Sequence, residues 1–515
     1  MITNTAMDNF SNQANTQNKN IVVWLDFGPT AYINFGISSA LSKIDNYNFI
    51  GIVSDKQDMN FFKNQQITSF EKLFYYPDCY KDKTTFDLNK LKKFEEKFDL
   101  NIWLDIFTER SFYKYWTEFH QFTDDEILSI VYHTISFFVD ILEKNNPKLI
   151  IMKQVGDNVS SLLFYRIAKK LGIKILMLNQ LYIKDRLTLS ENLINREISD
   201  EFKKLKTSFK KSSKIYDAEF IKNNDRTLSV SSLLKGIKIK KNLSRKISYY
   251  VKRFSSSGIE PIYQNIGKTK LKMIKFRLQN HFEFKKRQNF LDNHSIKSIE
   301  NENFLYFPLA SEPEARILVN SPFYTNQIAL IENIAKAIPI DFTLYVKEHP
   351  VQKLKFWRSL TDYKKLVSIP NVKFIHPSVS TDELLNKCQG VIAISGGTSF
   401  ETIFYKKPLI LFADEYYDVL STVTRINTFK TLSNDIANAL CTFKFDNDEL
   451  NAFMEASNNQ SFLIPYHIIR DDAQILSSLQ NYVNDFNLTA NEFEKFYEKY
   501  KNYFELIAQT IRSKL

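Results

Sequence analysis

Two short runs in the C-terminal half of the chain carry residue types suited to holding an anion. In LYVKEHP, residues 344–350, an apolar stretch ends in Lys347, Glu348 and His349, and Pro350 stops the strand and keeps His349 extended. An imidazole so placed donates a hydrogen bond to a phosphate, with Lys347 as a second cation. A lone His-Pro pair more often only caps a loop, so the position at a strand end carries the argument. In AISGGTSFE, residues 393–401, Ser395, Gly396 and Gly397 form a turn whose glycines let the backbone approach a ligand. Thr398 and Ser399 then open a helix whose free N–H groups and dipole attract an anion. One well-aimed donor on a departing phosphate lowers a transfer barrier by roughly 3–4 kcal/mol. Glu401, one turn in, suits a ribose hydroxyl or simply the helix N-terminus. A glycine pair before a helix also serves purely steric ends. Neither GxGxxG nor GxxxxGK[ST] occurs, which disfavours dinucleotide and P-loop readings.

Transfer to a hydroxyl needs a carboxylate as base or nucleophile. Candidates at strand ends are Asp26 after IVVWL, Asp157 after PKLIIMK, and Glu312 or Glu314 in SEPE, with Asp157 and Glu314 preferred. Each of these residue types also caps loops and helices. Asp414 and Glu415, after PLILFA, are placed to meet a nucleoside or to fill a plain loop role. No HExxH, DxD-like box or His/Cys cluster accompanies them, so no metal site is expected and no cofactor beyond the donor itself. The acidic run Asp124, Asp125, Glu126 reads as a helix start, with Thr123 as N-cap and Glu126 closing a capping box.

The elements that must position these residues follow from periodicity. IVVWLDF, FIGIVSD (49–55), PKLIIMK (147–153) and IKILMLN (173–179) read as buried strands, and SSLLFYRIAKKLG between the last two as a helix stopped by Gly172. Strand, helix, glycine, strand implies a parallel sheet covered on both faces. A second series runs through FLYFPLA (304–310), FTLYVKE, VKFI, GVIAIS and PLILFA, with helices between. In doubly wound sheets ligands bind outside the carboxyl ends of the strands, so His349 and the Ser395–Ser399 turn are expected to share one crevice. The expected division is a polar tail at 1–19, an α/β domain at 20–200, a basic helical insertion at 201–302, a second α/β domain at 303–445 and helices at 446–515.

At 515 residues the chain exceeds the reach of a single core. The net charge of +11 is concentrated, since residues 201–300 hold 25 Lys and Arg against 8 Asp and Glu. That segment reads either as a solvated linker or as a cationic face for the anionic inner leaflet of a membrane or an acidic, lipid-linked acceptor. No nucleic-acid motif accompanies the charge, so nucleic acid is not an expected partner. Three scattered cysteines and a polar N-terminus without an apolar signal core point to a cytoplasmic protein. The run Ile127–Leu142 contains His133 and Asp140 and reads as a buried helix rather than a membrane span.

The runs FPLASEPEARILVNSPFYTNQIALIENIAKAIPIDFTLYVKEHP, IPNVKFIHPSV and SGGTSFETIFYKKPLILFADEYYDVL resemble the capsule polysaccharide biosynthesis family, which includes the retaining Kdo transferases of capsule assembly. More distantly they are similar to bacterial sialyltransferases, whose HP and Ser/Thr-rich motifs hold the phosphate of a CMP-sugar. The resemblance covers about residues 304–440 well, the first domain loosely and the basic segment not at all. It implies a GT-B-like architecture, two Rossmann-like domains facing a cleft, with a nucleotide sugar in the second domain and a glycan or glycolipid acceptor in the first. By the same analogy His349 and Ser395–Ser399 hold the donor phosphate. The loop departs from the family's GTAG or GTSG pattern by lacking a glycine after Thr398. The implied activity is metal-independent transfer of a Kdo-like sugar from a CMP- or other nucleotide donor to a capsular or surface polysaccharide or its lipid-linked precursor. Alternatives are a CDP-glycerol-type phosphotransferase and an inactive scaffold of an assembly or export complex.

Overall fold

The computed structural model describes residues 19–26, 28–112, 119–156, 158–207, 215–224, 262–355, 357–482 and 488–515. Seven strands build the N-terminal sheet, the first six being β1 (Asn20–Leu25), β2 (Asn48–Val53), β3 (Phe70–Tyr75), β4 (Leu149–Lys153), β5 (Lys174–Gln180) and β6 (Arg186–Ser190). The spatial order of these six is β6-β5-β4-β1-β2-β3, parallel except for β6, which runs antiparallel to β5 and takes the seventh strand, from near the end of the chain, on its other side. The second sheet holds β7 (Phe304–Pro308), β8 (Thr343–Lys347), β9 (Val372–Ile375), β10 (Gly390–Ala393), β11 (Leu409–Leu411) and β12 (Val423–Arg425), in the all-parallel order β12-β11-β10-β7-β8-β9. Each sheet runs outward from its first strand and then restarts on that strand's other side. This reversal is the doubly wound, Rossmann-like arrangement, with its switch points at β1/β4 and β7/β10.

Period-two alternation splits each strand between two cores. Ile21, Val23 and Leu25 of β1 face one layer, while Val22 and Trp24 face the other, where Trp24 packs with Tyr76, Phe138 and Phe164. In β7, Leu305 and Phe307 point one way and Phe304 and Tyr306 the other. Burial on both faces explains why these strands read as unbroken apolar runs. The long helix Asp124–Asn145 carries the expected capping box: Glu126 N–H donates to Thr123 Oγ1 at 3.2 Å and Thr123 N–H to Glu126 Oε2 at 2.8 Å. No described helix is long and apolar enough to cross a membrane.

The chain passes between the domains more than once. Helix Arg196–Lys206 runs through the expected boundary at residue 200 and packs with helix Asn447–Asn459, its Ile198 and Phe202 entering the core of the second sheet. The chain then returns: β13 (Phe462–Leu463) pairs antiparallel with β6, and helices Tyr466–Tyr482 and Ala490–Ser513 cover one face of the N-terminal sheet. Helix Pro29–Ser42 lies so close to the last helix that a Cβ on Gly36 would sit 2.7 Å from Phe504 Cζ. Of the expected basic insertion, residues 208–214 and 225–261 lie outside the described residues, and helix Lys270–His294 is described throughout.

Candidate functional site

The strand order puts β7 between β8 and β10, so LYVKEHP and SGGTSFE leave the same carboxyl edge on either side of one strand. Beyond β8 the His349 N–H donates to Glu348 Oε1 at 2.7 Å, and the Val351 N–H donates to His349 Nδ1 at 3.2 Å. With Nδ1 accepting, the neutral imidazole carries its proton on Nε2, a hydrogen-bond donor. Burial, reinforced by Lys355, Arg358 and Lys347, pushes the His349 pKa down to about 4, so the ring is neutral near pH 7. Pro350 opens the short 3-10 helix Pro350–Lys355 that turns the chain back.

Next to His349 lies an ionic triad centred on the buried Arg358. Arg358 Nε meets Glu348 Oε2 at 2.8 Å and Arg358 Nη1 meets Glu312 Oε1 at 2.8 Å, while the Tyr363 hydroxyl donates to Glu348 Oε2 at 2.8 Å. Arg358 is buried, and its two carboxylates hold its pKa above the ordinary value despite that burial. Glu312 is thereby tied into the loop after β7. Glu314 is half-buried at the N-cap position of helix Ala315–Leu318.

The two motifs meet through Lys347 and Glu401. Lys347 is buried, donates to Thr381 Oγ1 at 2.8 Å, and has its pKa lowered by burial to about 8, against the attraction of the Glu401 carboxylate. Lys347 therefore points at Thr381, with the Glu401 carboxylate near enough to favour its charged form. In the turn after β10, Ser395, Gly396, Gly397 and Thr398 are half-buried. Gly396 has φ 117°, a backbone open to glycine, and a Cβ there would meet nothing within 4 Å. Helix Gly397–Phe404 follows, and its first-turn N–H groups have no intrahelical acceptor. Ser399 turns inward instead: it is buried, donating to the Gly396 carbonyl at 2.6 Å and meeting the Tyr417 hydroxyl at 2.7 Å.

A residue of the N-terminal domain closes over this turn. Tyr182, just beyond β5, donates to Glu415 Oε1 at 2.9 Å, stacks on Phe400 at 5.5 Å and lies 4.4 Å below the Arg316 guanidinium. Burial raises the Glu415 pKa to about 7, against Arg316 and a hydrogen bond from the Gly396 N–H. Asp414 joins an ion cluster at the same border, with Arg425 Nε at 2.9 Å and Arg196 Nη2 at 3.8 Å, while Arg196 Nη1 also meets Asp418 at 3.0 Å. The carboxyl end of β5 thus faces those of β10 and β11.

Across the border, the N-terminal switch point presents Asp26 and Lys153, which form an ion pair, with Ser54 Oγ donating to Asp26 at 2.9 Å. Asp157 lies outside the described residues. The helix that follows it, Val159–Lys170, has its N-terminus occupied by the chain itself: Val159 N–H donates to the buried Glu109 Oε2 at 3.1 Å, and the Tyr263 hydroxyl to the same oxygen at 2.6 Å. Sequence reasoning missed Tyr182, Arg316, Arg358, Lys153 and Glu109. Lys153 ends a clear strand and was open to the same positional argument as Lys347; the other four carry no local signal.

The model of the family "Capsule polysaccharide biosynthesis protein" matches residues 236–435. The match begins within the basic segment, earlier than the resemblance had placed it. No curated protein matches the chain. Similar solved structures include the UDP-GlcNAc 2-epimerase of Methanocaldococcus jannaschii, at 16% identity over 83% of this chain and 95% of that one, with a TM-score of 0.24. Another is the KpsC beta Kdo 2,7 transferase of Thermosulfurimonas dismutans, at 12% identity over 72% of this chain and 87% of that one, with a TM-score of 0.31. The stretch similar to the capsule polysaccharide biosynthesis protein family, residues 236–435, holds both the His349 strand end and the Gly396 turn.

Proposed function

We propose that the protein is a metal-independent glycosyltransferase that moves a Kdo-like sugar from a CMP- or other nucleotide donor onto a capsular or surface polysaccharide or its lipid-linked precursor. The observation that carries this reading is the pairing of a neutral, Nε2-protonated His349 with the glycine-softened helix start at Gly397, one strand apart on one sheet edge. Two strand spacings, about 10 Å, leave room for a phosphate with hydrogen bonds on both sides. The corresponding helix start in the N-terminal domain is filled by Glu109, which favours the second domain for the anionic donor and leaves the first to the acceptor.

In this reading the bond between the sugar anomeric carbon and the donor phosphate breaks, and its electron pair leaves on the phosphate. His349 Nε2–H and the first-turn N–H groups of Gly397 and Thr398 stabilise that developing charge. Ser395, Gly396 and Pro350 shape the contact, and Lys347, Glu401 and Asp414 set its electrostatics. The acceptor oxygen bonds to the anomeric carbon and gives its proton to a carboxylate, a role assigned to Glu314 or Asp157. The protein acts in the cytoplasm at the inner face of the membrane, with the basic segment 201–300 toward the anionic leaflet.

Calorimetry with CMP, UDP and GDP, followed by donor turnover without added divalent ion, tests the proposal. Saturable binding of one nucleotide that is lost in His349→Ala, with a glycosylated product by mass spectrometry, is expected. Failure to bind any nucleotide, or a phosphoglycerol product, overturns it.

A further inference from the structure

Helix Lys270–His294 has two apolar faces. On the inner face Phe276 packs against Phe119 of the N-terminal domain at 5.2 Å, Phe284 stacks on Trp357 of the second domain at 6.4 Å, and Leu291 is fully buried. These contacts join the helix to both domains. At 3.6 residues per turn, Leu271, Ile274, Leu278 and Phe282 fall within about 80° of arc on the opposite side. They are 79%, 37%, 58% and 68% exposed. Exposed apolar rows of this kind mark surfaces that meet something.

The residues beside the row say what it meets. Lys275, Lys285 and Lys286 lie along it and are exposed. Between Lys270 and Arg287 the sole acid is Glu283, which lies toward the inner face and sits 3.8 Å from Arg287 Nε. Two copies of this helix set face to face would bring lysines against lysines. An anionic lipid surface instead takes the apolar row into its acyl boundary and the ammonium groups among its headgroups.

We propose that helix Lys270–His294 lies flat on an anionic bilayer, inserting Leu271, Ile274, Leu278 and Phe282 between flanking lysines. This names the residues of the membrane contact suggested above and rests on that reading. The test uses the full chain sedimented with vesicles of phosphatidylcholine alone or mixed with phosphatidylglycerol. Binding to the mixed vesicles only is expected, weakened at least about tenfold in Leu278→Ser/Phe282→Ser. Weakening on the order of 100-fold is expected in Lys275→Gln/Lys285→Gln/Lys286→Gln. Because these side chains are exposed, both variants keep the wild-type unfolding temperature and nucleotide affinity. Absence of vesicle binding overturns the proposal, as does binding that both variants retain, which would assign it to other basic residues. A dimer on gel filtration that Leu278→Ser dissociates also overturns it, in favour of a second copy. Nucleotide affinity is measured separately, so loss of the catalytic reading and loss of the membrane reading give different results.

Discussion

The Tyr182 hydroxyl of the N-terminal domain donates to the buried Glu415 carboxylate of the C-terminal domain at 2.9 Å. Because burial raises the Glu415 pKa to about 7, the folded protein holds a proton that the unfolded chain releases near 4.5. The stability this group contributes is complete below the lower value and is lost as pH rises through the upper one. Thermal unfolding at about pH 6 and about pH 8 should show a loss at the higher pH that Glu415→Gln abolishes. Tyr182→Phe should cost about 1–3 kcal/mol by leaving the carboxylate short of a donor.

His349 gives the opposite kind of pH behaviour. With its pKa pushed down to about 4, the ring stays neutral through the range in which a free imidazole titrates. The dependence of nucleotide affinity on pH between about pH 6 and about pH 8, measured by calorimetry, should therefore have the same shape in the wild type and in His349→Ala. His349→Ala should weaken it by about 1.5–3 kcal/mol, the worth of a hydrogen bond to a charged group. A transition centred on the ordinary histidine value that disappears in His349→Ala would contradict the assigned donor.

Arg358 stands between two carboxylates with its charge fully enclosed. Arg358→Met should cost about 3–5 kcal/mol in urea unfolding, since the buried Glu348 and the half-buried Glu312 would be left without a counter-ion. Converting both to Gln in the same chain should recover part of that loss. The same background tests positioning: nucleotide affinity should fall with Arg358→Met because Glu348 accepts the His349 N–H.

Gly36 marks the closest approach of the first helix to the last. Gly36→Ala should destabilise by about 1–3 kcal/mol through overpacking against Phe504. Phe504→Leu in the same chain should relieve it, a coupling that a double-mutant cycle measures directly.

The buried strands were legible because both faces are covered, which makes β1, β4, β7 and β10 continuous apolar runs. β3, FEKLFY, was not, since it is a half-exposed edge whose Glu71 and Lys72 break the pattern. The capping box at Thr123 was visible because all its partners lie within one turn. His349, Lys347 and the Gly396 turn could be placed on one edge from strand ends alone. Their supports could not: Arg358 reaches Glu312 across 46 residues of chain, and Tyr182 reaches Glu415 across 233. Periodicity reports what a residue does within its own element and nothing about which distant loop it will meet. Ser399 shows the limit from the other side, since its place in the loop suggested a ligand contact while its rotamer faces Tyr417.

The return of residues 462–513 to the first sheet has a practical corollary for dissecting the protein. The N-terminal domain is not a contiguous stretch of chain: a fragment stopping near residue 200 would bare Phe35, on which Phe493 packs, and the Gly36 face of the first helix, against which Phe504 lies. Such a fragment should aggregate. A split protein in which 462–515 is supplied in trans, or fused behind residue 190 by a linker, is the version of that half with a chance of standing alone.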